Sequence, residues 1–446
     1  MTAEEDGEAV GRRLVAWVRQ AAPYIYGFRG RTFVIAFGGE VLEGGREIAQ
    51  ALAQDFNLLE SLGIRLVLVH GARPQIDAEL RRRGLKPRFH KDVRVTDAQA
   101  LECVKSAMGV IRIEIEALLS QGLPNTPMAG AWMRVTGGNF ITAKPVGIVG
   151  GVDYQYTGAV RKIIAEEIRA DLEQQNVVLI TPLGTSPSGE IFNLAWEEVA
   201  EAVAVSLQAD KLIFLCPAPG LVDKKGGLIE AITADDAEQL LRGRVRQAPQ
   251  LARVLSRALS ACRAGVDRVH FIDSRADGAM LMEFFTRAGV GTVLTRAPLA
   301  RLREATVEDV ASVLSLIAPL ELDGTLVKRG RERIEMEIGH FSVLEHDGVL
   351  AGCVALYPFG AERAAEMACL AVMPEYRRSG YGDQLTRHIE ARAKQQKLKR
   401  LFVLTTRAAH WFLERGFSET GVDELPEAKR ELYNWQRRSK VLVKSL

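Results

Sequence analysis

The chain has 446 residues, 47% of them apolar and 26% charged, with a formal net charge of +2 from 58 basic and 56 acidic side chains. That is enough for two or three domains with cores of their own, and the near-neutral balance excludes a global field that would draw the chain to nucleic acid. No apolar run reaches the roughly 18 residues of a membrane-spanning helix, and the acidic start MTAEEDGEAVGRR lacks the apolar centre of a secretion signal.

Residues 12–28, RRLVAWVRQAAPYIYGF, set Leu14, Val15, Val18, Ala21, Ala22 and Ile25 at helical spacing. This predicts a helix ahead of the first strand, with an apolar face that needs a partner. The first strand ends in Val34-Ile35-Ala36-Phe37-Gly38-Gly39, the form of a loop that delivers backbone amides to a phosphate. Phosphoryl transfer wants a fixed cation there, and the position before Phe-Gly-Gly is Ala36. Apolar runs at 33–37, 66–69, 177–181, 211–215, 268–272 and 291–295 alternate with helical patterns such as 46–62 and 197–208. The alternation predicts an α/β domain, a mostly parallel sheet with helices on both faces. Segment 131–160, rich in Gly and Val, reads as hairpins. Pro298 and a short basic stretch put a domain boundary near 297 and leave one further domain after it.

In that second part, FSVLEHDGVLAGCVALYPF reads as a hairpin turning at His346-Asp347-Gly348. ACLAVMPEYRRSGYGDQLTRHIEARAKQQ (368–396) follows as an apolar strand, a glycine loop and a helix. Pro374 is expected to part the strand from its neighbour, because it cannot donate a ladder hydrogen bond. Gly380 and Gly382 open a helix with Leu385, Ile389 and Ala393 on one face, and the free amides at such a start form an anion site. A second strand, RLFVLTT (400–406), leads to AAHWFLERGF (408–417). The basic end carries Lys429, Arg430, Arg437, Arg438, Lys440 and Lys444, joined by Arg329 and Arg331 from earlier in the domain. Each residue singly reads as solvated surface charge, but arginine clusters also suit bidentate recognition of carboxylates. The five cysteines (103, 216, 262, 353 and 369) have no paired spacing, which predicts a reducing cytoplasmic setting.

The order strand, R-x-x-G-x-G, helix, strand and closing Gly-Phe resembles the acyl-CoA N-acyltransferase (GNAT) superfamily over most of 300–446. The resemblance implies acetyl-CoA as co-substrate. It implies that Arg377, Arg378, Ser379, Gly380, Tyr381 and Gly382 hold the coenzyme A pyrophosphate through loop amides. It gives the main chain from Cys369 through Leu370 to Val372 the pantetheine arm and the acetyl carbonyl. That family often places a tyrosine four residues before the closing glycine, as acid for the departing thiolate. Phe412 stands there in this chain, so the proton must come from elsewhere.

VLVHGARPQI (67–76), GVDYQYTGAVR (151–161) and the segments 192–221 and 267–292 resemble the amino-acid kinase family, and within it acetylglutamate kinase, over roughly 30–295. The resemblance implies an αβα sandwich. It fails where phosphoryl transfer would occur: at Ala36, at Ala72-Arg73 in place of two glycines, and at Ala195-Trp196-Glu197 in place of N-A-D. An N-terminal helix with Tyr24, together with His270, Glu283 and Gly289, is similar to the arginine site of arginine-sensitive acetylglutamate kinases.

A kinase-like sensor joined to a GNAT domain resembles the bacterial N-acetylglutamate synthase family. This implies residues 1–28 as an oligomerisation helix, 29–296 as a catalytically inactive, arginine-sensing domain and 297–446 as the acetyltransferase. The implied reaction makes N-acetyl-L-glutamate from acetyl-CoA and L-glutamate, the first step of arginine biosynthesis, under feedback inhibition by L-arginine, in a cytoplasmic homo-hexamer without a metal. Glu366 fits the general base and Thr405 the acid. Arg329, Cys369, Arg430, Arg437 and Ser439 fit the glutamate side. An acyl-enzyme on Cys369 is disfavoured, since no histidine is visibly placed to activate it. Two alternatives stay open: an arginine-sensing protein-lysine acetyltransferase, and an active acetylglutamate kinase with an appended domain.

Overall fold

The structure, a computed structural model, describes residues 3–122, 130, 132–243, 247, 249–287, 289–377 and 379–446. The chain forms two compact units that divide between Pro298 and Leu299.

Eight described strands of the first unit form one sheet, in the order Ala231–Thr233, Thr292–Thr295, Arg268–Asp273, Lys211–Cys216, Thr32–Phe37, Arg65–His70, Val177–Ile180 and Val135–Thr136. Neighbours run parallel except Arg268–Asp273 and Thr292–Thr295. The central strands are apolar throughout because both faces are covered. Phe33 and Ile35 pack in the layer with helices Arg46–Ser61 and Ala98–Leu119. Val34 and Ala36 pack in the opposite one, with helices Trp196–Leu207 and Pro249–Arg263.

The segment read as hairpins supplies two of them: Ile141–Pro145 with Gly158–Ile163, and, between these, Ile148–Val149 with Val152–Asp153. Val135–Thr136 departs from that reading and joins the large sheet as an edge strand parallel to Val177–Ile180. The next residue, Gly137, passes so near Leu179 that a Cβ there would stand 2.9 Å from its carbonyl oxygen. The N-terminal helix runs from Ala3 to Phe28, with Pro23 inside it. Its end is anchored: Ala21 is buried, and Phe28 packs on Phe33, Phe284 and Phe285. Its middle is not, since Leu14, Val15, Trp17 and Val18 are all exposed. No described helix is long and apolar enough to cross a membrane.

Seven described strands of the second unit form a sheet in the order Ala300–Glu304, Phe341–His346, Val349–Phe359, Ala364–Val372, Arg400–Thr405, Lys440–Ser445 and Ser418–Thr420. Only Ala364–Val372 and Arg400–Thr405 are parallel neighbours. The expected hairpin turns through Asp347 and Gly348 at φ 53° and 76°, a pair of left-handed residues whose twist matches the strands they join. Val354 and Leu356 face helix Tyr381–Gln395 through Leu385, Ile389 and Ala393. Cys353 and Ala355 face helix Val310–Leu322 through Val310, Val313 and Ile317.

Candidate active site

The two parallel strands of the second unit are paired only at Ala364/Arg400, Ala365/Leu401 and Glu366/Phe402. Beyond that point they diverge, and the main chain of 367–372 has no strand partner on that edge. The parting lies well before Pro374, where the sequence had put it, and its cause is on the other edge of the strand. Between the pairs Cys353/Ala371 and Ala355/Ala368, two residues, Cys369 and Leu370, stand against one, Val354. This bulge holds Cys369 at φ 51° and bends the strand away from its parallel neighbour. Cys369 and Thr405 thus lie on opposite arms of the opening, each three residues past the last pair.

Glu366 sits at the vertex, buried, in an ion pair with Lys429 Nζ at 2.6 Å. Lys429 comes from the short helix Glu427–Glu431. The Thr405 hydroxyl accepts the N–H groups of Arg407 (3.3 Å) and Ala408 (2.9 Å), which leaves its own proton to donate and polarises it for the purpose. Burial pushes the Cys369 thiol up to about 11, against the pull of Arg329, so it stays protonated and is no nucleophile at neutral pH.

Arg329 is the most telling cation of this region. Its Nε is buried and has no hydrogen-bond partner among the described residues, and its guanidinium lies 5.9 Å from the Tyr357 ring centre. Tyr357 in turn donates its hydroxyl to Glu337 at 2.7 Å. Arg437 donates to the carbonyls of Gly324 (3.1 Å) and Thr325 (2.5 Å), and its guanidinium is pushed down by burial and by the nearness of Arg329. Two guanidinium groups that repel each other, one with a spare donor, make a site for a carboxylate. Ser439 is buried, with its carbonyl oxygen taken by the Tyr433 hydroxyl. Arg430 stays exposed.

The glycine loop meets its expectation in part. Gly380 takes φ 73° with open space where a side chain would stand, and the first amides of helix Tyr381–Gln395 have no partner within the helix. Tyr381 offers its main chain only: its ring is buried against Tyr376 and His346, and its hydroxyl bonds His346 Nδ1. A Cβ on Gly382 would stand 3.0 Å from the Trp411 ring. Arg377 and Ser379 are exposed, and Arg378 lies outside the described residues. Asp383, in the first turn, would oppose a bound anion. Arg415 answers it, pairing with both carboxylate oxygens while stacked 3.8 Å from the Trp411 ring centre.

In the first unit, His270, Glu283 and Gly289 form one cluster. Burial and Lys211 hold the His270 imidazole down to about 4, so it is neutral. Its Nδ1–H donates to Glu283 Oε1 at 2.7 Å and its Nε2 accepts from Lys211 Nζ at 3.2 Å. Burial alone would raise the Glu283 carboxyl, but the His270 hydrogen bond and the amides of Val290 (2.8 Å) and Gly291 (2.9 Å) outweigh it and keep the group ionised. Gly289 is at φ 62°, and a Cβ there would stand 2.6 Å from Glu283 Oε2. Tyr24 packs on Phe28, whose ring centre is 5.1 Å from Lys211 Nζ. Lys211 escaped the sequence reading because it looks like a lysine flanking an apolar strand.

At the ends of strands Thr32–Phe37 and Arg65–His70 lies a cavity of about 850 Å³, lined among others by Glu40, Arg73, Asp77, Arg94, Trp196, Glu197 and Arg253. No lysine is among its lining residues, Ala36 is fully buried, and Trp196 presses on Gly71 where a Cβ would stand 2.7 Å from its ring.

Residues 31–273 match the amino acid kinase family, and residues 312–417 match the acetyltransferase (GNAT) family. The chain is therefore an acetyl-transferring enzyme built on a kinase-like unit and a GNAT unit. It is 51% identical to the amino-acid acetyltransferase of Ralstonia nicotianae over 98% of this chain and 96% of that one. It is equally 51% identical to the amino-acid acetyltransferase of Azotobacter vinelandii over 98% and 100%. The chain belongs to the amino-acid acetyltransferase family. Among solved structures, N-acetylglutamate synthase from Neisseria gonorrhoeae, complexed with coenzyme A and L-arginine, is 39% identical over 97% of this chain and 99% of that one, with a TM-score of 0.84. The same enzyme complexed with coenzyme A and N-acetyl-glutamate aligns with a TM-score of 0.61.

Proposed function

We propose that this enzyme moves the acetyl group of acetyl-CoA to the α-amino group of L-glutamate, and that L-arginine inhibits it through the first unit. The observation that carries the acceptor is Arg329, a buried guanidinium with an unused donor beside the Cys369 bulge. A substrate with two carboxylates answers Arg329 and Arg437 together. Support also comes from the gonococcal synthase, whose structures hold coenzyme A, L-arginine and N-acetyl-glutamate.

In the mechanism, Glu366 takes a proton from the glutamate ammonium, which cannot attack while protonated. The free amine adds to the thioester carbonyl, and main-chain amides around Cys369–Val372 meet the oxyanion. Collapse expels the coenzyme A thiolate, which takes the Thr405 proton, and the Thr405 oxygen regains one from the protonated nitrogen of the intermediate, leaving the neutral amide. Glycine-loop amides and Arg377 hold the pyrophosphate. Arg430 and Ser439 complete the acceptor side, and the His270–Glu283–Gly289 cluster with Tyr24 receives arginine. Residues 1–28 join copies into a hexamer in the cytoplasm. The kinase-like unit performs no phosphoryl transfer, having no lysine for the γ-phosphoryl charge. Incubation with acetyl-CoA and a panel of free amino acids, following thiol release, tests the reading. Release that glutamate does not accelerate, or that a lysine peptide accelerates more, overturns it.

A further inference from the structure

One buried carboxylate of the first unit belongs to neither site. Asp55 lies on helix Arg46–Ser61 beside the core positions Ala53, Phe56, Asn57 and Leu59. It is 7% exposed, and among the described residues no hydrogen bond or ion pair reaches its carboxylate. It lines a cavity of about 260 Å³ between that helix and the loop 273–278, with Ile48, Leu52, Ile272 and Met280 as apolar wall. Glu47, in the first turn of the same helix, and Asp277, on the loop, line the same cavity, and among the described residues neither has a hydrogen bond or ion pair. Among the described lining residues the one cation, Arg275, is already committed, its Nε and Nη2 each 3.0 Å from an Asp273 oxygen. Burial and the neighbouring Asp277 push the Asp55 carboxyl up to about 7. A buried carboxylate left unanswered is costly to the fold, and here it faces a cavity instead of a protein cation.

We propose that this cavity binds a small organic cation, a primary ammonium on a short alkyl stem. An ammonium pairs with the buried Asp55 carboxylate, the exposed Asp277 and Glu47 add negative charge at the rim, and the stem matches the aliphatic wall. A metal ion would ask for several ligands converging at short range, and no group among the described residues meets that requirement. The site shares no residue with the His270–Glu283 cluster. The loop 273–278 nevertheless runs straight into helix Ala279–Phe285, which carries Glu283, so a cation there stiffens the lead-in to the arginine cluster.

The test is calorimetric titration of n-propylammonium chloride into the full chain, above the Asp55 midpoint of about 7, against sodium chloride at equal ionic strength. Single-site saturable binding is expected. Asp55→Asn should weaken it by at least about tenfold, the loss of one charged hydrogen-bond partner. Asp277→Asn, at an exposed position with no structural partner, should weaken it as well. No saturable heat beyond the salt control overturns the proposal, and so does an affinity unchanged in both variants.

Discussion

Replacing Glu366 by glutamine keeps the shape of the side chain at the vertex of the parted strands and removes its basic lone pair. Two losses follow, and the quantities they fall on separate them. A general base contributes about 10²–10⁴ in rate. The ion pair to Lys429 at 2.6 Å is lost as well, and with the two side chains only 21% and 9% exposed this costs up to about 3–5 kcal/mol, but the cost falls on stability, hence on the folded fraction and not on the rate of each folded molecule. Loss of the base therefore dominates in turnover per folded enzyme. In steady-state thiol release with glutamate, Glu366→Gln should lower kcat by about 10²–10⁴ with the KM for acetyl-CoA unchanged. Lys429→Met, which breaks the pair and keeps the carboxylate, should stay within about tenfold of the parent. A fall of less than about fivefold for Glu366→Gln places the base elsewhere. Equal falls for the two variants would mean that the pair, not the carboxylate, carries the effect.

With its thiol pushed up to about 11, Cys369 should not accept an acetyl group. Mass spectrometry of enzyme incubated with acetyl-CoA alone should find no added acetyl, and a stoichiometric adduct on Cys369 would contradict this. Glu283 already accepts from His270, Val290 and Gly291, so Glu283→Ala would damage the fold as well as the effector site. Glu283→Gln is the cleaner variant: it should abolish arginine inhibition while turnover without arginine persists, and an intact inhibition curve would move the effector elsewhere. Asp55 has its folded-state carboxyl raised from 3.8 to about 7, so the fold favours the neutral form and loses stability as pH rises through that window. Asp55→Asn should then stabilise the chain above about pH 7, by an amount on the order of 2–4 kcal/mol, and hardly at all below pH 3.8. Denaturant melts at several pH values would show it, and a gain independent of pH would refute it. Deleting residues 1–28 should shrink the particle in light scattering, and an unchanged mass would remove the N-terminal helix from the assembly.

Most strands were legible because burial on both faces writes itself as an uninterrupted apolar run, as in Lys211–Cys216. The turn at Asp347-Gly348 was legible because few residue pairs accept two left-handed conformations in succession. The bulge at Cys369 was not. It depends on a count of residues against Val354, which stands on another strand, and nothing in ACLAV announces it. Pro374 offered a local reason for the strands to part, and a nonlocal one acted first. Lys429 escaped for a similar reason, since its pairing with Glu366 arises only after the terminal segment folds back. Asp55 was hidden by the opposite effect: an acidic residue in an amphipathic helix is ordinary until its neighbours show that it faces inward.

The last pair before the parting, Glu366 and Phe402, is the point of a wedge whose two sides are each held by the sheet, Val372 opposite Gly352 and Thr405 opposite Lys440. The opening is therefore built in by strand pairing and needs no movement of the strands to form. In the proposed function a long, flexible thioester enters a route that is already open. The proposed base at the point of the wedge belongs to the closed part of the sheet, which fixes it independently of the loops beyond the opening.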